Sequence, residues 1–372
     1  MRLLLLLIAT VLVIGFALFS HIYSRSWDKN LAFGLSPLKK EIFEGEKDEI
    51  IETVTNPKLI PLLFGDVSFR APSFFSFGGG KSSGKIYNVY QESSISLSSY
   101  EQLTRRLPFT ALRRGCYTIN DASIATDDLF FRHRYIRRFP AECSITVFPR
   151  IKGVENFPID FYRLTGEIIS RRSMIEDPFF FRGIRDWEPT DGIRHINWNA
   201  TARTGSLKVN QYDSTNSQNV LLMLDFDGYN KFDHDELRED MIRIAAYLAG
   251  KLLKSGIPTG LITNALSAGG TMQVEVACKN GHRHYLNLLH QMASIDTGRL
   301  SGPFCELLSS FTGEHMDSQC ILISYYGGKD LDRQVLRLSA SQTGISWILL
   351  RDKSRRYNYQ PQSQAYICEV EY

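Results

Sequence analysis

The chain has little with which to run covalent chemistry or to hold a nucleic acid. Its six cysteines, Cys116, Cys143, Cys278, Cys305, Cys320 and Cys368, are scattered without a CxxC pair and without histidines at zinc spacing. That excludes a dithiol redox motif and a cysteine-based zinc module. Such thiols behave as small buried hydrophobes, and their scatter fits a reducing compartment. No serine or cysteine occupies a recognisable nucleophile motif. Charge of one sign is also missing: 43 Lys and Arg against 40 Asp and Glu leave a formal charge of +3. So mild a balance, with no DNA- or RNA-binding motif, argues against a nucleic-acid partner. The run Gly78-Gly79-Gly80 is followed by no helix start, which a phosphate cradle requires, so Pro72 to Gly84 reads as a loop.

Long apolar runs are absent apart from one at the amino terminus. Leu3 to Phe19 is uninterrupted by charge, and at about 17 residues and roughly 1.5 Å per residue it approaches the thickness of a hydrocarbon core. This predicts a retained transmembrane helix over residues 1–23. Ala17-Leu18-Phe19-Ser20-His21 offers no small-x-small cleavage site, which argues against the alternative of a removed signal peptide. Tyr23 and Trp27 fall where an interfacial aromatic belt would lie, with Arg25 and Lys29 beyond. The positive-inside bias then places the large remainder of the chain in the cytoplasm, on a single-pass protein of the cell membrane.

Two folded regions are expected in the rest of the 372 residues. Residues 34–155 read as short strands, at Glu49 to Val54, Gly84 to Tyr90, Thr104 to Leu112, Gly115 to Ile119 and Cys143 to Phe148, bounded by turn formers. An all-β immunoglobulin-like sandwich suits that spacing. Residues 218–372 read differently. Val220-Leu221-Leu222-Met223-Leu224 is a continuous apolar strand ending in Asp225, as in a parallel sheet covered on both faces. A helix follows, with Asp233 and Glu236 closing its first turn, a stripe of Leu237, Met241, Ile244, Leu248 and Leu252, and Gly256 and Pro258 at its end. Strands at Thr259 to Thr263, Met272 to Ala277, Cys320 to Ser324, Ile345 to Leu350 and Ala365 to Val370 alternate with helices near His284 to Ala293 and Leu331 to Ser339. The fold class is thus α+β multidomain: an N-terminal transmembrane helix, a β-sandwich, and a doubly wound α/β domain.

Between them, residues 156–217 form a connector with the densest mixture of charge and aromatics in the chain. Glu176-Asp177-Pro178 leads to Phe181-Arg182-Gly183-Ile184-Arg185-Asp186-Trp187, then to Asp191-Gly192-Ile193-Arg194-His195-Ile196-Asn197-Trp198, and ends at Ala200-Thr201-Ala202-Arg203-Thr204-Gly205. Balanced charge disfavours phosphate binding, whereas guanidinium forks pair with carboxylates and stack on indoles such as Trp187 and Trp198. Glycines and prolines forbid one continuous helix, so an ordered loop with short helical pieces is expected. It could serve as a salt-bridged clamp with Trp198 packed in a junction, as a recognition surface, or as a catalytic site.

This stretch resembles the signature of the bacterial family catalogued as "domain of unknown function fifty-eight", in which it precedes a von Willebrand factor A-like domain. The resemblance implies a membrane-attached, non-enzymatic component working with a MoxR-type AAA+ ATPase in assembling or activating client proteins. The residues carrying it, Arg182, Arg185, Asp191, Arg194, Asn197, Trp198 and Arg203, are the candidate interaction set. It also implies a metal-dependent adhesion loop after the first long strand. Here that loop is Asp225-Phe226-Asp227-Gly228-Tyr229, with Asp227 and Tyr229 in place of two serines, and Tyr325-Tyr326-Gly327 lacks the later aspartate. Asp225 and Asp227 are therefore candidate magnesium ligands of a degenerate site, and no cofactor is the leading expectation. The alternative function is a cell-envelope hydrolase using His195 or His282 with neighbouring acids such as Asp186 and Asp191.

Overall fold

The computed structural model describes residues 2–77, 89–127, 133–157, 163–164, 166, 181–188, 191–192, 196–212, 219–228, 235–309, 318–340, 344–355, 357, 359–363 and 365–371. Two compact units divide the chain, Met1–Arg150 and Ile151–Tyr372.

The first unit opens with helix α1 (Arg2–Ser26). Among the described residues no helix is long and apolar enough to cross a membrane, so the transmembrane assignment of residues 1–23 is corrected. The apolar run stops at Ser20 and His21, short of the ~20 apolar residues a crossing needs. The expected aromatic belt is also absent: Tyr23 and Trp27 are buried among Leu31, Val54, Leu62, Val67 and Ile124. The Tyr23 hydroxyl lies 3.1 Å from the Thr126 hydroxyl, Trp27 packs on Tyr135 at 6.0 Å, and Arg137 donates to the Asp28 carboxylate at 3.2 Å. These aromatics are core residues of the β unit.

Among the described residues nine strands follow: β1 (Ala32–Pro37), β2 (Glu41–Phe43), β3 (Lys47–Thr55), β4 (Leu62–Ala71), β5 (Phe75–Phe77), β6 (Val89–Leu97), β7 (Gln102–Ala111), β8 (Gly115–Asp127) and β9 (Arg134–Phe148). They form a four-stranded sheet in the order β1-β3-β7-β5 and a five-stranded sheet in the order β2-β9-β8-β4-β6. Inward residues of both, such as Ile50 and Phe109 from one and Phe69, Ile119 and Ile145 from the other, share one core. Gly84 to Asn88 of the expected strand lie outside the described residues, as do Gly78-Gly79-Gly80. Asn56 is buried and holds its loop by donating to the carbonyls of Ile60 (3.0 Å) and Ser98 (2.9 Å). Against the alternation, β3 turns Glu52 inward, only 1% exposed and with neither carboxylate oxygen hydrogen-bonded. Burial raises its pKa, opposed by the Arg105 guanidinium.

In the second unit, strands β10 (Phe181–Asp186) and β11 (Lys208–Tyr212) pair antiparallel around helix α2 (Trp198–Thr204). A second sheet is built from β12 (Asn219–Asp225), β13 (Thr259–Ser267), β14 (Gln273–Lys279), β15 (Ile295–Leu300), β16 (Ser318–Ser324), β17 (Ile345–Asp352) and β18 (Ala365–Val370). Its order is β14-β13-β12-β16-β17-β18, with β15 also beside β13. β13, β12, β16, β17 and β18 run parallel, whereas β14 and β15 run antiparallel to β13.

Helices described around this sheet are α3 (Asp235–Lys254), α4 (His282–Ser294), α5 (Phe304–Ser309) and α6 (Lys329–Ala340). Residues of α5 and α6 pack on Leu221, Met223, Leu322 and Trp347, while α3 lies against β12, β13, β16 and β17. The continuous apolar strand β12 follows from cover on both faces. From β12 the chain crosses through α3 to β13 on one side, and β16 docks on the other. The strand order therefore reverses between β12 and β16, where open α/β sheets form a crevice at the carboxyl ends of their strands.

Candidate functional site

At that crevice β12 ends in Asp225, only 2% exposed. Its Oδ1 accepts the backbone N–H of Asp227 at 2.8 Å. Both oxygens of Asp227 are engaged: Oδ1 accepts from Asn264 Nδ2 at 2.8 Å, and Oδ2 accepts the backbone N–H of Phe304, the first residue of α5, at 2.6 Å. Asn264 in turn accepts the Phe226 N–H on its side chain at 3.1 Å, and its carbonyl accepts from the Ser301 N–H at 2.8 Å. Asp227 thus staples the end of β12 to β13 and to the start of α5, supplying a helix-start donor with the acceptor it needs.

Tyr325, directly after β16, closes the crevice from the other side. Its hydroxyl accepts from Arg238 Nη2 at 2.9 Å, with the guanidinium 5.3 Å from the ring centre, and it lies 3.4 Å from the Phe226 carbonyl. Gly228 is required here, because a Cβ on it would meet the Tyr325 hydroxyl at 2.0 Å. Arg238 is 1% exposed. Sequence reasoning missed it, because a charge beside an apolar helical stripe ordinarily marks a solvated face.

Burial, and after it the Asp227 carboxylate, holds Asp225 well above the ordinary carboxylate range, against the pull of the Asp227 amide. Burial also raises Asp227, opposed by the Phe304 amide and by Asn264. Cys305 is pushed up to about 11 by burial and then by Asp225, Asp227 and Asp330. Burial is thus the main cause that raises both carboxylates of this acidic turn. Magnesium asks for near-octahedral oxygens. Here Asp225 Oδ1 and both Asp227 oxygens already accept hydrogen bonds, and among the described residues no three His, Cys, Asp or Glu side chains gather to hold a metal. The donor set fits the ion poorly. Tyr229 lies outside the described residues.

The connector residues form a separate scaffold. Arg185 grips Asp191 with two parallel bonds of 2.6 Å, and Asp191 also accepts the Glu188 N–H at 2.9 Å. Asp186 pairs with Lys208 across the two strands at 2.5 Å. Asn197 is the N-cap of α2: its Oδ1 accepts the Ala200 N–H at 2.9 Å while its Nδ2 donates to Asn210 at 2.7 Å. Gly205 ends the helix in the left-handed region at φ 73°. The stretch read as a loop with helical pieces is therefore a strand pair around one capped helix.

Trp198 is not packed as expected but 63% exposed, with Ile184 of β10 at 47% and Leu207, just before β11, at 41%. Among the described residues no arginine stacks on Trp187 or Trp198. Arg203 is exposed. The Arg182 side chain, Arg194 and His195 lie outside the described residues. His282 begins α4 on the surface, and the acids of the hydrolase alternative, Asp186 and Asp191, are each committed to an ion pair.

Residues 183–310 match the family model described as "Protein of unknown function DUF58". Over that stretch the chain is similar to the DUF58 family. The DUF58 match begins inside β10 and runs through the staple, taking in Arg185, Asp191, Asn197, Asp225, Asp227, Arg238, Asn264 and Phe304. No curated protein matches the chain. Among solved structures, a CARDB domain from Pyrococcus furiosus is 13% identical over 32% of this chain and 92% of its own, with a TM-score of 0.20. The human CEP192 PapD-like domain 7 is 18% identical over 32% of this chain and 85% of its own, also at 0.20. A GH20 exo-β-N-acetylglucosaminidase from Vibrio harveyi is 10% identical over 87% of this chain and 57% of its own, at 0.21. Scores this low carry no argument about the chain.

Proposed function

We propose that the chain is a non-enzymatic protein-interaction module whose β10–α2–β11 element docks a MoxR-type AAA+ ATPase or a client of that ATPase. In this reading the parallel-sheet domain is a von Willebrand A-like one that works without a cofactor. The observation that carries the proposal is the exposed Trp198 indole on a helix fixed at both ends. A rigid aromatic anchor loses little entropy on binding, and Trp and Arg dominate the energetic centres of protein interfaces. Arg203 on the same helix, with Ile184 of β10 and Leu207 of the turn before β11, gives the surrounding surface its mixed character. The Arg185–Asp191 fork and the Asn197 cap act as supports of that surface.

The test is capture of a purified MoxR-type ATPase by the full chain, with ATP, with ADP and without nucleotide. Wild type captures the ATPase in at least one state, and Trp198→Ala loses at least ten-fold in affinity. No capture in any state, or equal capture by the variant, would contradict the proposal.

A further inference from the structure

On the outer face of the five-stranded sheet, a polar cleft of about 170 Å³ is lined by Ser68, Arg70, Asp121, Ser123 and Arg138, with Phe69 and Ala122 beneath. The strand register explains it. Ser68 of β4 faces Ser123 of β8, and Ser123 faces Arg138 of β9, so these three side chains stand in one row across three strands. Beside that row the β8–β9 ladder slips: Ile119 pairs with Cys143, but Asp121 pairs with Pro140. Pro140 has no N–H to give, and a break of this kind opens the sheet and re-aims the side chains next to it.

Two arginines of one strand differ in their partners. Arg134, on the same strand as Arg138, has Asp66 at 2.9 Å and Glu92 at 3.9 Å. Arg138 and Asp121 both line the cleft, yet among the described residues neither side chain has a hydrogen bond or an ion pair. The two serine hydroxyls lie 2.9 Å apart. One donates to the other, which leaves one hydroxyl proton directed elsewhere. The cleft thus offers a guanidinium fork and a hydroxyl donor beside a carboxylate acceptor, with Arg70 adding positive charge. A volume below the roughly 300–1,000 Å³ of drug-sized pockets suits a small ligand.

We infer that this cleft binds a small free carboxylate that carries its own hydrogen-bond donor, a hydroxy acid or an amino acid. The ligand carboxylate takes the Arg138 fork and the serine proton, and its hydroxyl or ammonium group donates to Asp121. This site is independent of the docking reading of Trp198.

The experiment is calorimetric titration of the full chain with lactate, glycine and acetate at constant ionic strength. Lactate or glycine binds at one site per chain with millimolar affinity, and acetate, which lacks the donor, binds at least five-fold more weakly. Arg138→Ala lowers the affinity at least ten-fold. Asp121→Asn narrows the gap between glycine and acetate, and Arg134→Ala, which removes the matched arginine, changes affinity less than two-fold. Circular dichroism melting confirms that each variant is folded. Should Arg138→Ala lose the fold, Arg138→Gln replaces it. No saturable binding, or binding that Arg138 replacement leaves unchanged, or equal loss with Arg134→Ala, overturns the inference.

Discussion

Replacing Asp227 by alanine tests whether the acidic turn is a structural staple. The change removes the acceptor for the Asn264 amide and for the Phe304 N–H, at 2.8 and 2.6 Å. Bonds to a charged group are worth about 1.5–3 kcal/mol each, and the two donors stay behind unsatisfied. Against this, burial disfavours the Asp227 charge, and its loss relieves Asp225. The net expectation is a loss of about 2–4 kcal/mol, which in a unit of this size lowers the melting midpoint by about 5–15 °C. Scanning calorimetry of the full chain follows the transition. The same instrument tests the rival role: magnesium at ten times its Kd would stabilise a binding-competent site by about 1.4 kcal/mol. The staple predicts the large loss in Asp227→Ala and no midpoint change with magnesium in wild type. A variant melting with wild type, or a magnesium shift abolished by Asp225→Asn, would refute the reasoning.

Three further outcomes follow from other sites. Asp225 and Asp227 both have folded-state pKa values raised above 3.8, so their burden is present at neutral pH and is relieved as pH falls through those raised values. Wild type therefore gains stability relative to Asp225→Asn between neutral pH and pH 4 in urea titrations; a constant difference would count against the buried charge. Glu52→Leu removes two unsatisfied oxygens from the sandwich core and stabilises the first unit by about 1–3 kcal/mol at neutral pH. Because the Glu52 pKa is also raised above its ordinary 4.5, that gain shrinks toward pH 4, and a destabilised variant at pH 7 would mean the carboxylate has a partner. Asn197→Ala strips the N-cap from a seven-residue helix, at about 1–2 kcal/mol; limited trypsin digestion then cuts after Arg203 several-fold faster than in wild type, and an unchanged rate would show that the cap is dispensable.

What could be read from the sequence depended on how local its cause was. β12 was plain because a strand covered on both faces is apolar throughout, and α3 because its stripe repeats at helical spacing. The acidic turn was located by its place after β12, yet its role was hidden: Asn264 and Phe304 lie 37 and 77 residues farther along the chain. Arg238 was invisible for the same reason, since Tyr325, which it meets, is 87 residues away. Asn197 stood before a helix and Gly205 after it, but seven residues are too few to show a period. Only Gly115 to Ile119 and Cys143 to Phe148 were read as strand within β8 and β9, because their remaining residues alternate less cleanly around the slip at Asp121. The transmembrane reading failed where hydropathy alone could not tell a membrane interface from a protein core, at Tyr23 and Trp27.

The most direct test of the account compares Trp198→Ala with wild type in ATPase capture and in thermal unfolding on the same preparations. An exposed indole on a fixed scaffold predicts at least a ten-fold loss of affinity with a melting midpoint within about 2 °C of wild type. A midpoint lowered by more than about 5 °C with capture retained would mean that the indole serves packing instead of docking, and would contradict it.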